Sequence, residues 1–291
     1  MPDTQRPPIQ RTDVSQTSQP IESGPADAAA PSPQRATPSG APDTRPAHRV
    51  TVVLPAYNAA RTLEHTYNDI PKHAVDDIIL VDDASHDETV EKARQLGIHV
   101  IVHPENRGYA GNQKTCYTAA LHRGAEVIVM VHPDYQYDPR VLPDLIAPIL
   151  SGRADVVFGS RLATRGGALA GGMPLYKFLG NRFLTTVENV VFGRNMSEYH
   201  TGLRAYSRRF LESIPFMRNS DGFGFDSEVV GQIVTGGYRL EEIPVETRYF
   251  REASSVNLKM SVLYGLKTLS VCGHVLSFRL RRLAGFGPAR I

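Results

Sequence analysis

The chain has 291 residues, 41% of them hydrophobic and 21% charged, with a formal net charge of +2. That length supports one large domain with a substantial core, and the composition excludes collagenous, disulfide-dense and wholly disordered classes. No basic N-terminal segment leads into an apolar core, and no run of about 18 apolar residues occurs, so neither a secretory signal nor a membrane-spanning helix is expected.

Residues 1–48 carry nearly half of the prolines, interspersed with Ser, Thr, Gln and Ala and almost no large apolar side chain. Such a segment cannot offset its ordering entropy by burial, so it is expected to be disordered. From Val50 onward, strand-like and helix-like stretches alternate. VTVVLP precedes an amphipathic stretch from Ala59, IILVDD a helix from Asp87, and HVIVH a helix from Tyr109. VIVMVH precedes a helix from Pro139, and DVVFGS closes the series. The alternation predicts an α/β domain over 49–256, with a mainly parallel sheet sandwiched by helices. Ligands of such sheets bind at the C-terminal ends of the strands. Cys116 and Cys272 each stand in a helical pattern, so buried thiols are expected in place of a disulfide or a metal site, and a reducing compartment fits.

The strand ends carry the chemistry. The first ends in Pro55, Ala56, Tyr57 and Asn58, where the Tyr57 ring is a candidate to stack on a base or sugar, or is simply an exposed turn aromatic. The second ends in Asp82 and Asp83. Asp87 is the predicted N-cap of the next helix with Ser85 satisfying its turn, and Asp83 is a candidate acceptor for a base N–H or a ribose hydroxyl. In the loop Asn106 to Asn112, Gly108 and Gly111 permit close backbone approach. The chain has neither a Gly-x-Gly-x-x-Gly fingerprint nor a P-loop lysine, which argues against a dinucleotide dehydrogenase or a P-loop ATPase. VIVMVHPDYQYDP, from Val127 to Pro139, ends a β-branched run in His132, Asp134 and Gln136. In extended chain Asp134 and Gln136 point the same way, which aims two oxygen ligands at one divalent cation; a polar turn is the alternative.

Downstream, Arg161 follows a strand as a candidate phosphate ligand, and the glycine-rich run from Gly166 to Gly172 predicts a mobile loop. Met173 to Gly193 has helical spacing, with Asn181 and Arg182 as polar residues of a surface or a site. Asp226 and Glu228 open another helix, where capping accounts for Asp226 as well as catalysis does. YRLEEIPVETRYF is strand-like and leads to Arg248, Arg251, Ser254 and Ser255.

VTVVLPAYNAA, IILVDDASHDET, the loop from Asn106 to Gly111, VIVMVHPDYQ and VVFGSR, in this order and spacing, resemble the family 2 glycosyltransferases of the GT-A fold. The closer likeness is to the dolichyl-phosphate mannose synthase branch, and it runs from about Val50 to Asn257. The resemblance implies an inverting, metal-dependent transferase that moves a hexose-type sugar from a nucleotide-diphosphate donor to polyprenyl phosphate, using Mg²⁺ or Mn²⁺. It places Pro55, Tyr57, Val81 and Asp83 around the nucleoside, with His132 and Arg161 as further donor contacts. It makes Asp134 and Gln136 the metal-binding pair, Asp134 and Arg251 catalytic, and Arg248, Arg251 and His200 contacts of the acceptor or its phosphate. Two departures stand out: Ala59 replaces the usual Glu after Tyr-Asn, and His132 replaces the first Asp of Asp-x-Asp. In the stretch Glu198 to Tyr206, Glu198 stands where relatives carry an acid discussed as a base, with His200 as a competitor. The usual Ser-Lys pair near Arg251 lacks its Lys, which shifts phosphate binding toward the arginines.

Beyond Glu252 the chain has no acidic residue. From Leu258 to Leu283, apolar residues including Val262, Leu266, Leu269, Leu276 and Leu283 recur at helical spacing beside Lys259, Lys267, Arg279, Arg281 and Arg282. The segment 257–291 therefore predicts a basic amphipathic helix on an anionic membrane surface, placing the protein on the cytoplasmic membrane face. Packing on the domain or on a second subunit of a homo-oligomer is the alternative. No nucleic-acid partner is expected, because stacking aromatics do not alternate with the basic residues. A saccharide or other hydroxyl acceptor, or a non-catalytic nucleotide-sugar-binding protein, are the competing functions.

Overall fold

The computed structural model describes residues 49–164, 166–249 and 258–284. The disorder expected of 1–48 and the roles expected of Arg251, Ser254 and Ser255 lie outside the described residues. The first half runs β1 (Val50–Ala56), α1 (Leu63–Asp69), β2 (Asp77–Asp82), α2 (Thr89–Gln95), β3 (His99–Val102), α3 (Gly108–His122), β4 (Val127–Met130) and α4 (Leu142–Leu150). The second runs β5 (Val156–Ser160), α5 (Gly167–Ala170), α6 (Leu175–Phe192), β6 (Arg204–Ser207), α7 (Arg208–Ser213), α8 (Phe225–Thr235), β7 (Leu240–Pro244) and α9 (Leu258–Leu283).

The strands form one sheet in the order β3-β2-β1-β4-β6-β5-β7. β1 to β4 are mutually parallel and β7 runs parallel to β5, whereas β6 is antiparallel to both β4 and β5. The sheet is thus mainly parallel, as expected, with one reversed strand, β6, beginning near the end of the stretch Glu198 to Tyr206. Alternating side chains feed two cores. Val52, Leu54, Val127 and Val129 pack on one face, and Val53, Ile79, Ile128 and Met130 on the other, all essentially inaccessible. Burying each such side chain contributes about 1.5–3 kcal/mol, which is why these strands read as continuous apolar runs.

α6 and α9 pack against each other, and α9 also packs on α8. Both helices carry two distinct stripes. On α6, Asn181, Thr185, Glu188 and Phe192 face inward at spacings of four and three, while Leu175, Leu179, Phe183 and Val190 are exposed. On α9, Thr268, Cys272 and Val275 form the inward seam, and Val262, Leu266, Leu269, Leu276, Leu280 and Leu283 lie exposed. The apolar stripe read from the sequence is therefore the outer one, and different residues do the packing. Arg279 also departs from the expected basic flank. It turns inward and donates from Nη1 to Val191 O at 2.9 Å and from Nη2 to Phe192 O at 2.6 Å, satisfying carbonyls at the end of α6. Cys116 and Cys272 are free, buried thiols.

Gly159 in β5 sits where a Cβ would lie 2.9 Å from both Leu203 Cδ2 and Val245 Cγ1. Gly159→Ala is expected to overpack this contact and lower stability by about 1–3 kcal/mol, read as a reduced urea midpoint with an unchanged slope.

Candidate active site

The C-terminal edge of the sheet is built from backbone that few residues tolerate. Asn58, Ala84 and Tyr135, just beyond β1, β2 and β4, have φ of 52°, 60° and 56°, in the left-handed region that glycine favours. Side chains stitch these loops together. Asn58 N donates to Ser85 Oγ and Asn58 Oδ1 accepts from His86 N, both at 2.9 Å. Asn112, buried on α3, donates from Nδ2 to Ala56 O at 3.2 Å and Val81 O at 3.0 Å, strapping the ends of β1 and β2.

The local capping differs from the sequence expectation. α2 starts at Thr89 with Glu88 as N-cap, and Asp87 sits one residue earlier, where Oδ1 accepts from Thr89 N at 3.1 Å and Oδ2 from Ala60 N at 3.1 Å. Ser85 serves Asp82, whose Oδ2 accepts from Ser85 N at 2.9 Å. Asp83 is almost wholly buried. Its Oδ1 lies 2.8 Å from His103 Nδ1 and accepts from Arg107 N at 2.8 Å, while Oδ2 accepts from Gly108 N at 2.9 Å at the start of α3. An ionised carboxylate only accepts, so Nδ1 of His103 carries the proton. Tyr57 is 50% exposed at this edge, whereas the Val81 side chain lies wholly inside the core.

β4 ends at Met130, so Asp134 and Gln136 stand in a turn, not in the extended chain expected of them. Tyr135 between them takes the left-handed conformation, and Asp134 Oδ1 accepts from Gln136 N at 3.0 Å, an Asx turn. Burial pushes the Asp134 carboxyl up, against the pull of His132. Among the described residues no Lys or Arg forms a salt bridge with Asp134, and no three His, Cys, Asp or Glu side chains form a metal cluster. One carboxylate and one amide suit a hard cation that completes its shell from diphosphate and water. The residues present therefore fit a divalent metal at Asp134 and Gln136.

Beside this corner opens a cleft of about 540 Å³ between the sheet edge, α6 and α9, with Gln136, Arg161, Gly202, Arg204 and Asp226 among its lining residues. Two buried ion pairs form its floor. Arg161 donates from Nε to Glu198 Oε1 at 2.9 Å and from its backbone N to Oε2 at 2.8 Å, with Nη2 also on Oε1. Asn181 of α6 adds Nδ2 to the same Oε1 at 2.6 Å, and Arg161 Nη1 donates to Tyr249 OH at 2.9 Å. Burial alone would raise the Glu198 carboxyl, but the Arg161 guanidinium holds it below the usual carboxylate range. This is the geometry of a structural ion pair, not of a general base. In the second pair, fully buried Arg204 donates from Nη1 to Asp226 Oδ1 at 3.1 Å, and Tyr109 OH donates to Oδ2 at 2.7 Å. The Tyr109 ring stacks with both His132 and Phe223, with centroids 5.8 and 5.3 Å apart. Gly202 permits this: a Cβ there would lie 2.9 Å from His132 Cδ2.

His200 lines the cleft with both ring nitrogens directed at protein groups, Nδ1 at Tyr264 OH (2.7 Å) and Nε2 at Glu188 (3.0 Å). Arg248 lies over the Tyr135 ring and donates from Nη2 to Asp138 Oδ2 at 3.2 Å; its buried Nη1 has no hydrogen-bond partner among the described residues. Sequence reasoning assigned no role to Tyr109, Asn112, Glu188 or Tyr264, since a buried amide, an acid on a helix and two tyrosines carry no motif of their own.

The sequence pattern of the family described as Glycosyl transferase family 2 matches residues 51–214. The chain belongs to that family. Among relatives of this transferase is an uncharacterized protein of Methanocaldococcus jannaschii, 30% identical over 76% of the chain and 89% of the relative. Another is a UDP-N-acetylglucosamine–dolichyl-phosphate N-acetylglucosaminyltransferase of Methanococcus voltae, 25% identical over 76% and 96%. The transferase also shares its GT-A fold with glucosyl-3-phosphoglycerate synthase of Mycobacterium tuberculosis, solved with Mg²⁺ and UDP, at a TM-score of 0.61 and 22% identity over 78% of this chain and 80% of that one.

Glu198→Gln leaves Arg161 buried without its counter-charge and is expected to cost about 3–5 kcal/mol at neutral pH. Because the folded-state pKa of Glu198 is depressed, its stabilisation is present above the ordinary value of 4.5 and is lost as pH falls through the folded value. Urea midpoints of wild type and variant should therefore converge as the pH drops well below 4.5.

Proposed function

We propose that the protein transfers a sugar, with inversion, from a nucleotide-diphosphate donor to a polyprenyl phosphate at the cytoplasmic membrane face. The observation that carries this reading is the cleft itself, whose floor holds Gln136, Arg161 and Arg204 and whose walls carry Phe183 of α6 and Val262, Leu266 and Leu269 of α9. An acceptor with an anionic head and an isoprenoid tail matches both parts. The dolichyl-phosphate substrate in the name of the Methanococcus voltae relative supports the same class.

In the reaction, a phosphate oxygen of the lipid bonds to the anomeric carbon as the bond from that carbon to the diphosphate breaks, and the nucleoside diphosphate leaves with the electron pair. The attacking oxygen is already anionic near neutral pH, so alignment replaces proton removal. A hydroxyl acceptor would need a base, and Glu198, pinned by Arg161 and Asn181, is poorly suited to be one. Tyr57, half exposed at the sheet edge, would stack on the nucleoside, and Arg248, whose Nη1 has no hydrogen-bond partner among the described residues, would take a phosphate oxygen. Asp134 and Gln136 would hold Mg²⁺ or Mn²⁺, which when bound stabilises the charge developing on the leaving diphosphate.

No helix among the described residues is long and apolar enough to cross a membrane. Contact with the bilayer would instead be made by the outer stripes of α6 and α9, where Phe183 and Leu266 are each 61% exposed and Lys267, Arg281 and Arg282 stand in solvent.

Transfer of radiolabelled sugar from a panel of UDP- and GDP-sugars to short-chain polyprenyl phosphate, with Mg²⁺, Mn²⁺ or chelator, tests the reaction. Metal-dependent lipid labelling is expected, and Asp134→Asn should remove most of it without changing the circular dichroism spectrum. Donor turnover without a lipid product would overturn the acceptor, and full Asp134→Asn activity at saturating metal would overturn the metal site. Truncation before Leu258, or Phe183→Glu on α6, is expected to weaken sedimentation with phosphatidylserine vesicles; unchanged sedimentation would return these helices to a packing role.

A further inference from the structure

His200 is the place where three walls of the cleft meet. It lies on the segment between α6 and β6, with its imidazole 8% exposed. Nδ1 is 2.7 Å from Tyr264 OH on α9, and the two rings meet edge to face with centroids 5.2 Å apart. Nε2 is 3.0 Å from Glu188 Oε2 on α6, in an approach off the line of a hydrogen bond, and neither atom has a hydrogen-bond partner among the described residues. The two atoms thus meet in a close, buried contact between α6 and the segment before β6. Burial keeps the Tyr264 phenol well above its ordinary value, so the hydroxyl facing Nδ1 keeps its proton.

We propose that this contact is a clasp: His200 fixes the spacing of α6 and α9, and through it the fit of the acceptor, making it a positioning residue for transfer. The inference rests on the lipid-acceptor reading for its kinetic consequence and on the geometry alone for its mechanical one. α9 packs on α6 and α8, and two more polar anchors lie further along the helix. Thr268 reaches Ser227 Oγ at 2.9 Å, and Arg279 reaches the α6 carbonyls. Tyr264 is thus an anchor of α9 within the cleft, next to Val262 and Leu266 in the cleft lining. Glu188 stands two turns from Asn181, which holds Glu198 and hence Arg161. A shift of α6 relieved of the clasp would widen the apolar walls while the Arg161 ion pair still held the floor.

The test compares wild type with His200→Ala, His200→Asn and Tyr264→Phe in the full chain. The KM for polyprenyl phosphate should rise about tenfold in His200→Ala and about threefold in Tyr264→Phe, the scale of one or two buried polar contacts. The donor KM and kcat of Tyr264→Phe should stay near wild type, and His200→Asn, which keeps a donor and an acceptor, should recover most of the acceptor affinity. Amide hydrogen exchange should quicken over residues 258–270 in His200→Ala and not in the β1–β4 half of the sheet. An unchanged acceptor KM, equal losses toward donor and acceptor, or unchanged exchange in α9 would each overturn the clasp. If wild type turns over donor but labels no lipid, the acceptor reading alone fails, and the exchange result then decides the clasp.

Discussion

The buried pair of Arg161 and Glu198 is the constraint on which the cleft depends. A guanidinium and a carboxylate placed under protein are tolerable only when each finds enough partners to replace its water. To supply them, the end of β5, the segment before β6, α6 and Tyr249 must all converge. The floor of the site is therefore rigid for the same reason that it is charged. Arg204 and Asp226 repeat the arrangement on the other side, tying the start of β6 to the start of α8.

The three left-handed residues at the strand ends give the same conclusion from the backbone. Asn58, Ala84 and Tyr135 occupy conformations that cost about 1–3 kcal/mol each, and they persist because neighbouring loops hold them from both sides. Packing of the two cores supplies that hold. The sheet carries the stability, and its edge spends some of it on holding loops open toward a ligand.

Much of this architecture was legible from the residues. The alternation of apolar runs with helical patterns gave the sheet and its edge, because period and strand length follow directly from burial on two faces. The α9 boundaries were equally plain, since Leu258 to Leu283 keep one helical period throughout. What was hidden were partnerships between distant residues. Glu198 read as a base because a lone acid in a sequence shows no counter-charge, and its counter-charge Arg161 lies 37 positions earlier. Asp134 and Gln136 read as extended because the turn between them depends on Tyr135 accepting a positive φ, which no tyrosine announces. His132 read as a donor contact without its packing, because the room for its ring is made by Gly202, 70 positions later.

The two stripes of α9 give that helix two separate vocabularies of sequence change. Substitutions at Thr268, Cys272 or Val275 meet packed neighbours and act on folding, whereas those at Leu276, Leu280 or Leu283 change an exposed face and, on the membrane reading proposed above, act on where the protein resides. On that reading, inherited variation in this helix falls into two phenotypes, scarce protein or misplaced protein, interleaved at the helical period along the chain.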